Sequence, residues 1–464
     1  VEALGPDQAR LLRSLGERFG AAGHELHLVG GTVRDLVLGR PLTEDLDFAT
    51  SALPQEVLTL VDGWADSVWD VGIRFGTVGL LKGTHKLEIT TYRADSYDPS
   101  SRKPEVAFGT SLADDLVRRD FTVNAMALTL PGFVLVDQHD GLADLRAGLL
   151  RTPAPPELSF SDDPLRMMRA ARFAAQLGFT VAPQALASIT AMAERLRIVS
   201  AERVQVELTK LMLAEQPRDG LAVMVDTGLA DHVLPELPAL RLEIDEHHRH
   251  KDVYEHSLVV LEQAMDLERQ GPDLVLRLAA LLHDIGKPRT RRFEPGGGVT
   301  FHHHEVVGAR MTRARLRELR YSNEVIEDVS RLVELHLRFH GYGSGEWTDA
   351  AVRRYVRDAG PLLPRLHSLT RADCTTRNRR RAAALRRSYD SLEQRIGELQ
   401  AQEELDAIRP DLDGNDIMRI LDLPPGREVG QAYRFLLDLR LDRGQLGPEL
   451  AEEALRAWWA ARRR

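Results

Sequence analysis

Asp45 and Asp47 stand two residues apart in a strand-like run, DLDFAT, so both carboxylates leave one face of the sheet that holds them. Paired hard oxygen ligands of this kind suit Mg²⁺ that also binds phosphate oxygens, and metals so held can stabilise the attacking and leaving oxygens of an in-line phosphoryl displacement. Upstream, Gly30 and Gly31 end a strand and open a helix, turning backbone N–H groups and a helix N-terminus toward any anion placed there. Arg34 follows about one helical turn later and is within reach of the same anion. Alone, Gly-Gly is a turn and Asp-X-Asp a solvated strand end; together, with Arg34 between them, they weigh toward a site. Asp35 reads as an arginine partner or helix-capping residue rather than a metal ligand. Neither GxGxxG nor GxxxxGK[ST] occurs here, which sets aside a dinucleotide fold and a P-loop.

A second constellation lies in SDDPLRMMRAAR. Pro164 suits a first helical turn and Ser161 or Asp162 its cap. Asp163, Arg166, Arg169 and Arg172 recur every third residue and predict one drifting polar stripe along that helix. A solvated stripe of mixed sign is the plain alternative. The chemistry favours more: cytosine and adenine both set an exocyclic amine donor beside a ring-nitrogen acceptor, which a carboxylate and a guanidinium satisfy together. Uracil and guanine reverse the pattern and leave groups unpaired. Asp163 and Arg166 are therefore assigned to the base, and Arg169 and Arg172 to support of the stripe or to phosphates.

The elements that must position these groups change character along the chain. The first third mixes β-rich runs (HLVGG, DLDFAT, GTVGLL, KLEITTY, FVLVDQ) with helices; from about Ser159 onward apolar residues recur at helical spacing. RTPAPPE, residues 151–157, is the connector between the two parts, and FEPGGGVTF (293–301) and HGYGSGEWTD (340–349) are loops within the helical part. No internal repeat is visible. Residues 1–20 read as an amphipathic helix on Leu11, Leu12, Leu15 and Phe19, without the charged-then-apolar order of a signal peptide. A single cysteine, Cys374, excludes an intramolecular disulfide framework and points to a reducing, cytoplasmic setting, and no stretch approaches a membrane span. The formal charge of −9 argues first against nucleic acid, yet phosphate affinity depends on local cationic patches, so it excludes nothing. The abundance of arginine over lysine is read as coding composition before RNA recognition.

GGTVRD followed by DLD resembles the signature of the polymerase-β-like nucleotidyltransferases, specifically the class II CCA-adding enzymes and bacterial poly(A) polymerases. The similarity continues through residues 87–128, including RRDFTVNA (Arg118–Ala125), and through FSDDPLRMMRAARFAAQLGF, covering nearly all of residues 24–180. It implies an α/β head followed by an all-α neck, body and tail, with Asp45 and Asp47 catalytic and carrying Mg²⁺, and Gly30, Gly31 and Arg34 on the triphosphate. It further implies that Arg119, Asp120 and Asn124, in a polar helix start, orient the sugar, with Arg118 a surface or RNA contact. Glu88, alternating with Thr90 on a strand, is a candidate third carboxylate against the plainer reading of a surface-strand residue. The segment between Arg93 and Val117, with Asp95, Tyr97, Asp98, Arg102 and Pro104, resembles the family's loop that assists the change from C to A addition. The family's neck motif begins Glu-Asp where this chain has Asp162-Asp163, which puts the role of position 162 in question.

Farther along, His256, His283, Asp284, His304, His336 and Asp373 fall in the order H…HD…H…H…D, which resembles the HD phosphohydrolases over about residues 250–375. Imidazoles and carboxylates suit a transition metal or Mg²⁺, and such a set can hold a pair of ions. Lys287 would bring a cation near a phosphate ester, while His247, His248, His250, His302 and His303 read as surface residues. A degenerate HD fold without hydrolysis is the alternative. In the tail, the basic run of residues 377–387 is either a transfer-RNA contact or a solvated helix face, and WWAARRR a helix docked by its tryptophans.

The expected organisation is a nucleotidyltransferase head (1–150), a helical neck and RNA-binding body (151–245), an HD domain (246–376) and a helical tail (377–464). The resemblance implies CCA addition to tRNA from CTP and ATP without a nucleic-acid template, and no membrane partner; it leaves oligomeric state open. The competing expectations are a poly(A) polymerase, an HD phosphohydrolase whose head only binds nucleotide, and a silent RNA-binding protein.

Overall fold

A computed structural model describes residues 4–41, 43–69, 73, 76–93, 109, 111–241, 252–295, 298–339, 348–374, 379–403 and 409–462. It divides into two compact units, Val1–Pro235 and Glu236–Arg464. The loop residues Asp95, Tyr97, Asp98, Arg102 and Pro104, and His247, His248 and His250, lie outside the described residues.

The first unit opens with α1 (Pro6–Ala21), β1 (Leu26–Val29), α2 (Gly31–Val37), β2 (Asp45–Thr50), α3 (Pro54–Val61), β3 (Ser67–Trp69), β4 (Thr77–Lys82) and β5 (His85–Thr91). It continues through α4 (Leu112–Val117), β6 (Met126–Leu130), β7 (Val134–Asp137) and α5 (Gly141–Ala147). The strands form one sheet in the order β3-β4-β5-β2-β1-β6-β7. Only β2 and β5 run parallel, with Asp47 opposite Glu88; every other pairing is antiparallel. Leu12, Leu15 and Phe19 of α1 are fully buried, while Leu11 is half-buried, so the amphipathic reading of the N-terminus holds. The sequence reading missed β3 and β6. Met126-Ala-Leu favours helix by propensity, but pairing with β1 along Leu26–Val29 overrides it, and Met126, Ala127 and Leu128 are buried together.

After the head, β8 (Leu149–Leu150) pairs in parallel with β9 (Thr180–Val181), stitching the connector to the helical neck. The neck comprises α6 (Pro156–Asp162), α7 (Leu165–Leu177), α8 (Pro183–Met192), α9 (Ala201–Met212), α10 (Pro217–Asp226) and α11 (Ala230–Val233). Gly220 lets α10 lie on α7, since a methyl group there would enter the Ala171 carbonyl and the Leu211 side chain.

The second unit holds α12 (Val253–Met265), α13 (Leu274–Leu282), α14 (Lys287–Thr290), a hairpin of β10 (Arg292–Phe293) and β11 (Val299–Thr300), α15 (His304–Glu318) and α16 (Asn323–Leu335). Next come α17 (Asp349–Ala359) and α18 (Leu363–Ala372), then a tail of α19 (Arg379–Glu403), α20 (Gly414–Leu421), α21 (Arg427–Arg443) and α22 (Pro448–Arg462). The tail has its own core of Ile417, Leu436 and Leu455. Trp458 stacks on Phe435 at 4.9 Å, which seats α22 by its tryptophans as the sequence implied. The α/β-then-helical layout is as expected, and no helix among the described residues is long and apolar enough to cross a membrane.

Candidate active site and metal centre

The alternation of β2 decides the first site. Leu46 and Phe48 are buried, and Asp45 and Asp47 stand on the exposed face between them. Parallel pairing with β5 brings Glu88 beside Asp47 on that same face, an exposed strand residue that adjoins the carboxylate pair. Though exposed, the Asp47 carboxyl has lost part of its water to surrounding protein atoms, which lifts it above its ordinary range; Asp45 adds to the lift, and Arg119 and Arg169 oppose it. Glu88 is lifted likewise, by lost hydration and then by Asp47 and Asp45. Carboxylates that crowd one another in this way fit a divalent cation, whose charge relieves their repulsion.

Gly30 ends β1 at φ 75°, a conformation open to glycine, and a β-carbon there would come 3.3 Å from Arg119 Nη1 and 4.0 Å from Asp47 Oδ2. The Gly-Gly turn therefore lies against both the carboxylate pair and Arg119. The Arg34 guanidinium lies against the Gly-Gly turn, its Nη2 3.3 Å from where a β-carbon of Gly31 would stand, and it is held there by protein partners. It is 8% exposed, donates to Asn124 Oδ1 at 2.7 Å and is bidentate on Asp35, which is the arginine partner the sequence pointed to.

The 118–125 segment corrects another expectation. It forms a single 3₁₀ turn, Thr122–Asn124, running into β6, rather than a helix start. Arg119 is held by Asp115 at 2.9 Å and keeps a side facing Asp47. Asp120 and Asn124 turn inward: Asp120 accepts from Asn124 Nδ2, from the Phe121 N–H and from Arg169 Nε at 2.7 Å. Burial alone would raise Asp120, but Arg169 and these donors outweigh it and hold the carboxyl down to about 2. A continuous polar chain, Arg34–Asn124–Asp120–Arg169, thus runs from the Gly-Gly helix to the neck. Phe173 lies among three guanidinium groups, those of Arg34, Arg169 and Arg172 at 5.4, 5.7 and 3.9 Å from its ring.

In the neck, the helix starts later than expected, with Pro164 rather than Ser161 or Asp162 as its N-cap. Ser161 and Asp162 belong to the last turn of α6, and α7 begins at Leu165. Asp163 lies between them in extended conformation, as a residue preceding proline is driven to be, so it is not on the helical stripe. Its Oδ1 accepts from the Leu165 N–H at 3.1 Å and its Oδ2 from Arg203 at 2.8 Å. Arg166 donates through its side chain to Ser159 Oγ at 2.8 Å and to the Arg118 carbonyl, and through its backbone N–H to the Asp163 carbonyl at 3.0 Å. Arg118 is thereby tied to the neck through its backbone. Arg172 is 7% exposed and paired with the buried Glu207 of α9, so it braces α7 on α9 and is turned away from any phosphate in solvent. Sequence reasoning missed Arg203 and Glu207, whose i,i+4 spacing on one helix is a signal for a shared face.

The second site is built by helix ends. His283 follows α13 directly, His304 opens α15, His336 follows α16 and Asp373 follows α18. His256 comes from within α12. Ligand atoms of His256, His283 and Asp373 lie within 4.8 Å of one another, and so do those of Asp284, His304 and His336. His256 Nε2 is 3.0 Å from Asp373 Oδ1, and His304 Nε2 is 3.1 Å from Asp284 Oδ1. The Nδ1 atoms of His283, His304 and His336 each sit 2.6–2.9 Å from the carbonyl three residues back, which leaves Nε2 to face the cluster. Nε2 of His336 is buried without a hydrogen bond, 4.0 Å from Asp284 Oδ1. Burial pushes the His283 imidazole down, but Asp284 more than reverses this and carries it up to about 9. Burial and the neighbouring His283 drive His336 down to about 3. The set therefore calls for positive charge at its centre and fits a metal ion. Lys287 Nζ reaches Asp284 at 2.8 Å, while His302 and His303 are exposed, as expected. Gly286 makes the approach possible, because any β-carbon would strike the His304 carbonyl.

Comparisons with known proteins follow the same division. The Poly A polymerase head domain family matches residues 26–151, the family described as a probable RNA and SrmB-binding site of polymerase A matches 178–240, and the HD domain family matches 253–378. A CCA-adding enzyme of Levilactobacillus brevis is 44% identical over 225 residues, 48% of this chain and 55% of that one. The chain thus spans about half the length of such curated relatives. An A-adding tRNA nucleotidyltransferase of Deinococcus radiodurans is 37% identical over 357 residues, 75% of this chain and 80% of that one. In fold, the chain is similar to the Bacillus stearothermophilus CCA-adding enzyme crystallised with CTP, at TM-score 0.70 and 24% identity over 99% of both chains. The likeness therefore extends from the sheet carrying Asp45 and Asp47 into the helices that gather the histidines, and the chain belongs to the tRNA nucleotidyltransferase and poly(A) polymerase family, with an HD domain following its polymerase-β-like head.

Proposed function

We propose that this chain is a template-independent tRNA nucleotidyltransferase that adds C, C and A from CTP and ATP to the 3′ end of tRNA. The observation that carries the reading is the exposed pair Asp45 and Asp47 beside the Gly30 turn and Arg119. Asp45 and Asp47, with Glu88 adjoining, would hold Mg²⁺, which would supply charge stabilisation at the α-phosphate; the RNA 3′-hydroxyl attacks that phosphorus and pyrophosphate leaves. Gly30 and Gly31 admit the triphosphate close to the backbone, and Arg119 faces it from the Asp47 side. Arg34, Asp120, Asn124 and Arg169 act as the polar chain that fixes the head groups relative to the neck. Asp163 and Arg166 read the amine-plus-ring-nitrogen edge shared by cytosine and adenine, while Arg172 keeps their helix in place.

Transfer of labelled CMP and AMP to a tRNA lacking its CCA end, followed by sequencing of the tails, tests this reading. Asp47→Ala should abolish incorporation, and tails of CCA should form with the unaltered protein. Long A tails would instead identify a poly(A) polymerase. A second reading, addition of the terminal A alone, is favoured by the Deinococcus radiodurans relative, whose similarity runs through three-quarters of this chain. It predicts extension of a tRNA ending in CC by ATP, with no incorporation of CMP.

For the HD cluster we propose metal-dependent hydrolysis of a phosphomonoester or a 2′,3′-cyclic phosphate, with a transition metal or Mg²⁺ bound by His256, His283, Asp284, His304, His336 and Asp373. Loss of this activity in His283→Ala or Asp284→Ala supports it. Purified protein that neither binds nor responds to any divalent ion refutes it.

A further inference from the structure

Asp163 is a poor reader of a base unless something holds its plane. It lies in the extended link between α6 and α7, outside either helix, where a short side chain keeps its torsional freedom. Its Oδ1 is engaged by the Leu165 N–H, and Oδ2 receives Arg203 Nη2 at 2.8 Å. A carboxylate has about four lone-pair positions, so both oxygens keep capacity to accept from an exocyclic amine.

Arg203 reaches Asp163 from α9, and α9 is anchored one turn later by Glu207, whose ion pair with Arg172 of α7 is buried. Arg203 and Glu207 are four residues apart and share a helix face. The buried pair therefore sets the spacing of the two helices, and the Arg203–Asp163 pair, with the arginine side chain 54% exposed, sits at its solvent edge. An ion pair so exposed adds little to folding. What it can do is fix the direction in which Asp163 presents its oxygens, while Ser159 and the Arg118 carbonyl fix Arg166.

We infer that Arg203 is a positioning residue for nucleotide choice: it clamps Asp163 so that the carboxylate accepts only from a base carrying an amine beside a ring acceptor. The inference rests on the base-reading role proposed for Asp163. Without the clamp the carboxylate rotates, its correct partner is bound less well, and the penalty against uracil and guanine falls because their mismatched groups find a relaxed site.

The test measures kcat and KM for CTP, ATP, UTP and GTP on the full chain with a tRNA acceptor. Arg203→Ala should raise KM for CTP and ATP severalfold and lower the preference for them over UTP and GTP by about tenfold, the effect of roughly one lost hydrogen bond. Its unfolding midpoint should match that of the unaltered protein. Arg203→Lys, which keeps the charge, should recover most of the preference. In an Asp163→Asn background, Arg203→Ala should change nothing further, as coupled residues behave in a double-mutant cycle. If Asp163→Ala relaxes the preference while Arg203→Ala leaves it intact, the clamp is refuted and the base-reading role stands. If Asp163→Ala itself has no effect on preference, the base-reading role falls and the clamp with it.

Discussion

Asp120 shows how much one buried side chain can hold together. Its carboxylate collects Arg169, Asn124 and a backbone N–H in the interior, and is held down to about 2 although burial pushes it upward. Because its folded value lies below the ordinary 3.8, its contribution is complete above about pH 4 and is lost as pH falls through 2, amounting to about 2 kcal/mol. Denaturant unfolding between pH 6 and pH 2 should show that acid limb. Asp120→Asn should remove it and lower stability near pH 7 by about 2 kcal/mol, since the carboxylate charge facing Arg169 is lost. At this scale the sequence was informative where chemistry is local. Asp45 and Asp47 announce a shared face by their spacing, and Asp35 announces its arginine. Glu88 came only as one of two readings, because its neighbour Asp47 is brought to it by a pairing of strands distant in sequence.

Elements carry the next set of constraints. The link at Asp163 was legible in principle, since a residue before proline avoids helical backbone, yet the regular spacing of Arg166, Arg169 and Arg172 drew the helix too far back. Of the two roles open to Arg172, the pairing with Glu207 of α9 is the supporting one; amphipathic spacing names a face but not what covers it. Strand β6 was hidden for a related reason, as its Met-Ala-Leu composition carries no β signal apart from its partners. Close helix crossings are similarly silent in sequence. Gly286 and Gly308 meet where α15 passes the residues after α13, with the Gly286 N atom 3.3 Å from a β-carbon built at Gly308. Gly286→Ala should destabilise the second unit by about 1–3 kcal/mol through overpacking and weaken metal retention. Thermal unfolding and metal analysis of the dialysed variant check this, and nucleotide incorporation by the head should be unaffected.

Across the whole molecule, the chain presents two compact units, one with the carboxylate pair and one with the histidine cluster. The head and the HD site draw on no common residue, so their chemistries should separate cleanly. Asp47→Ala should abolish nucleotide incorporation and spare ester hydrolysis, and Asp284→Ala should do the reverse, when both reactions are assayed on each variant. A joint loss in either variant refutes two separate sites. The head and the HD segment were legible because each announces itself by short motifs; the packing within each was not, because it depends on contacts between residues far apart in the chain.

The carbonyl contacts behind His283, His304 and His336 have a consequence for how the second centre responds to chelation. Each imidazole leans on its own preceding turn of chain, so its tautomer and rotamer are settled by local backbone and owe nothing to a ligand. Stripping divalent ions with a strong chelator should therefore silence hydrolysis without melting helices, leaving the far-ultraviolet circular dichroism spectrum unchanged, and activity should return on adding metal with no refolding delay. A centre of this construction is a socket kept in shape by its walls.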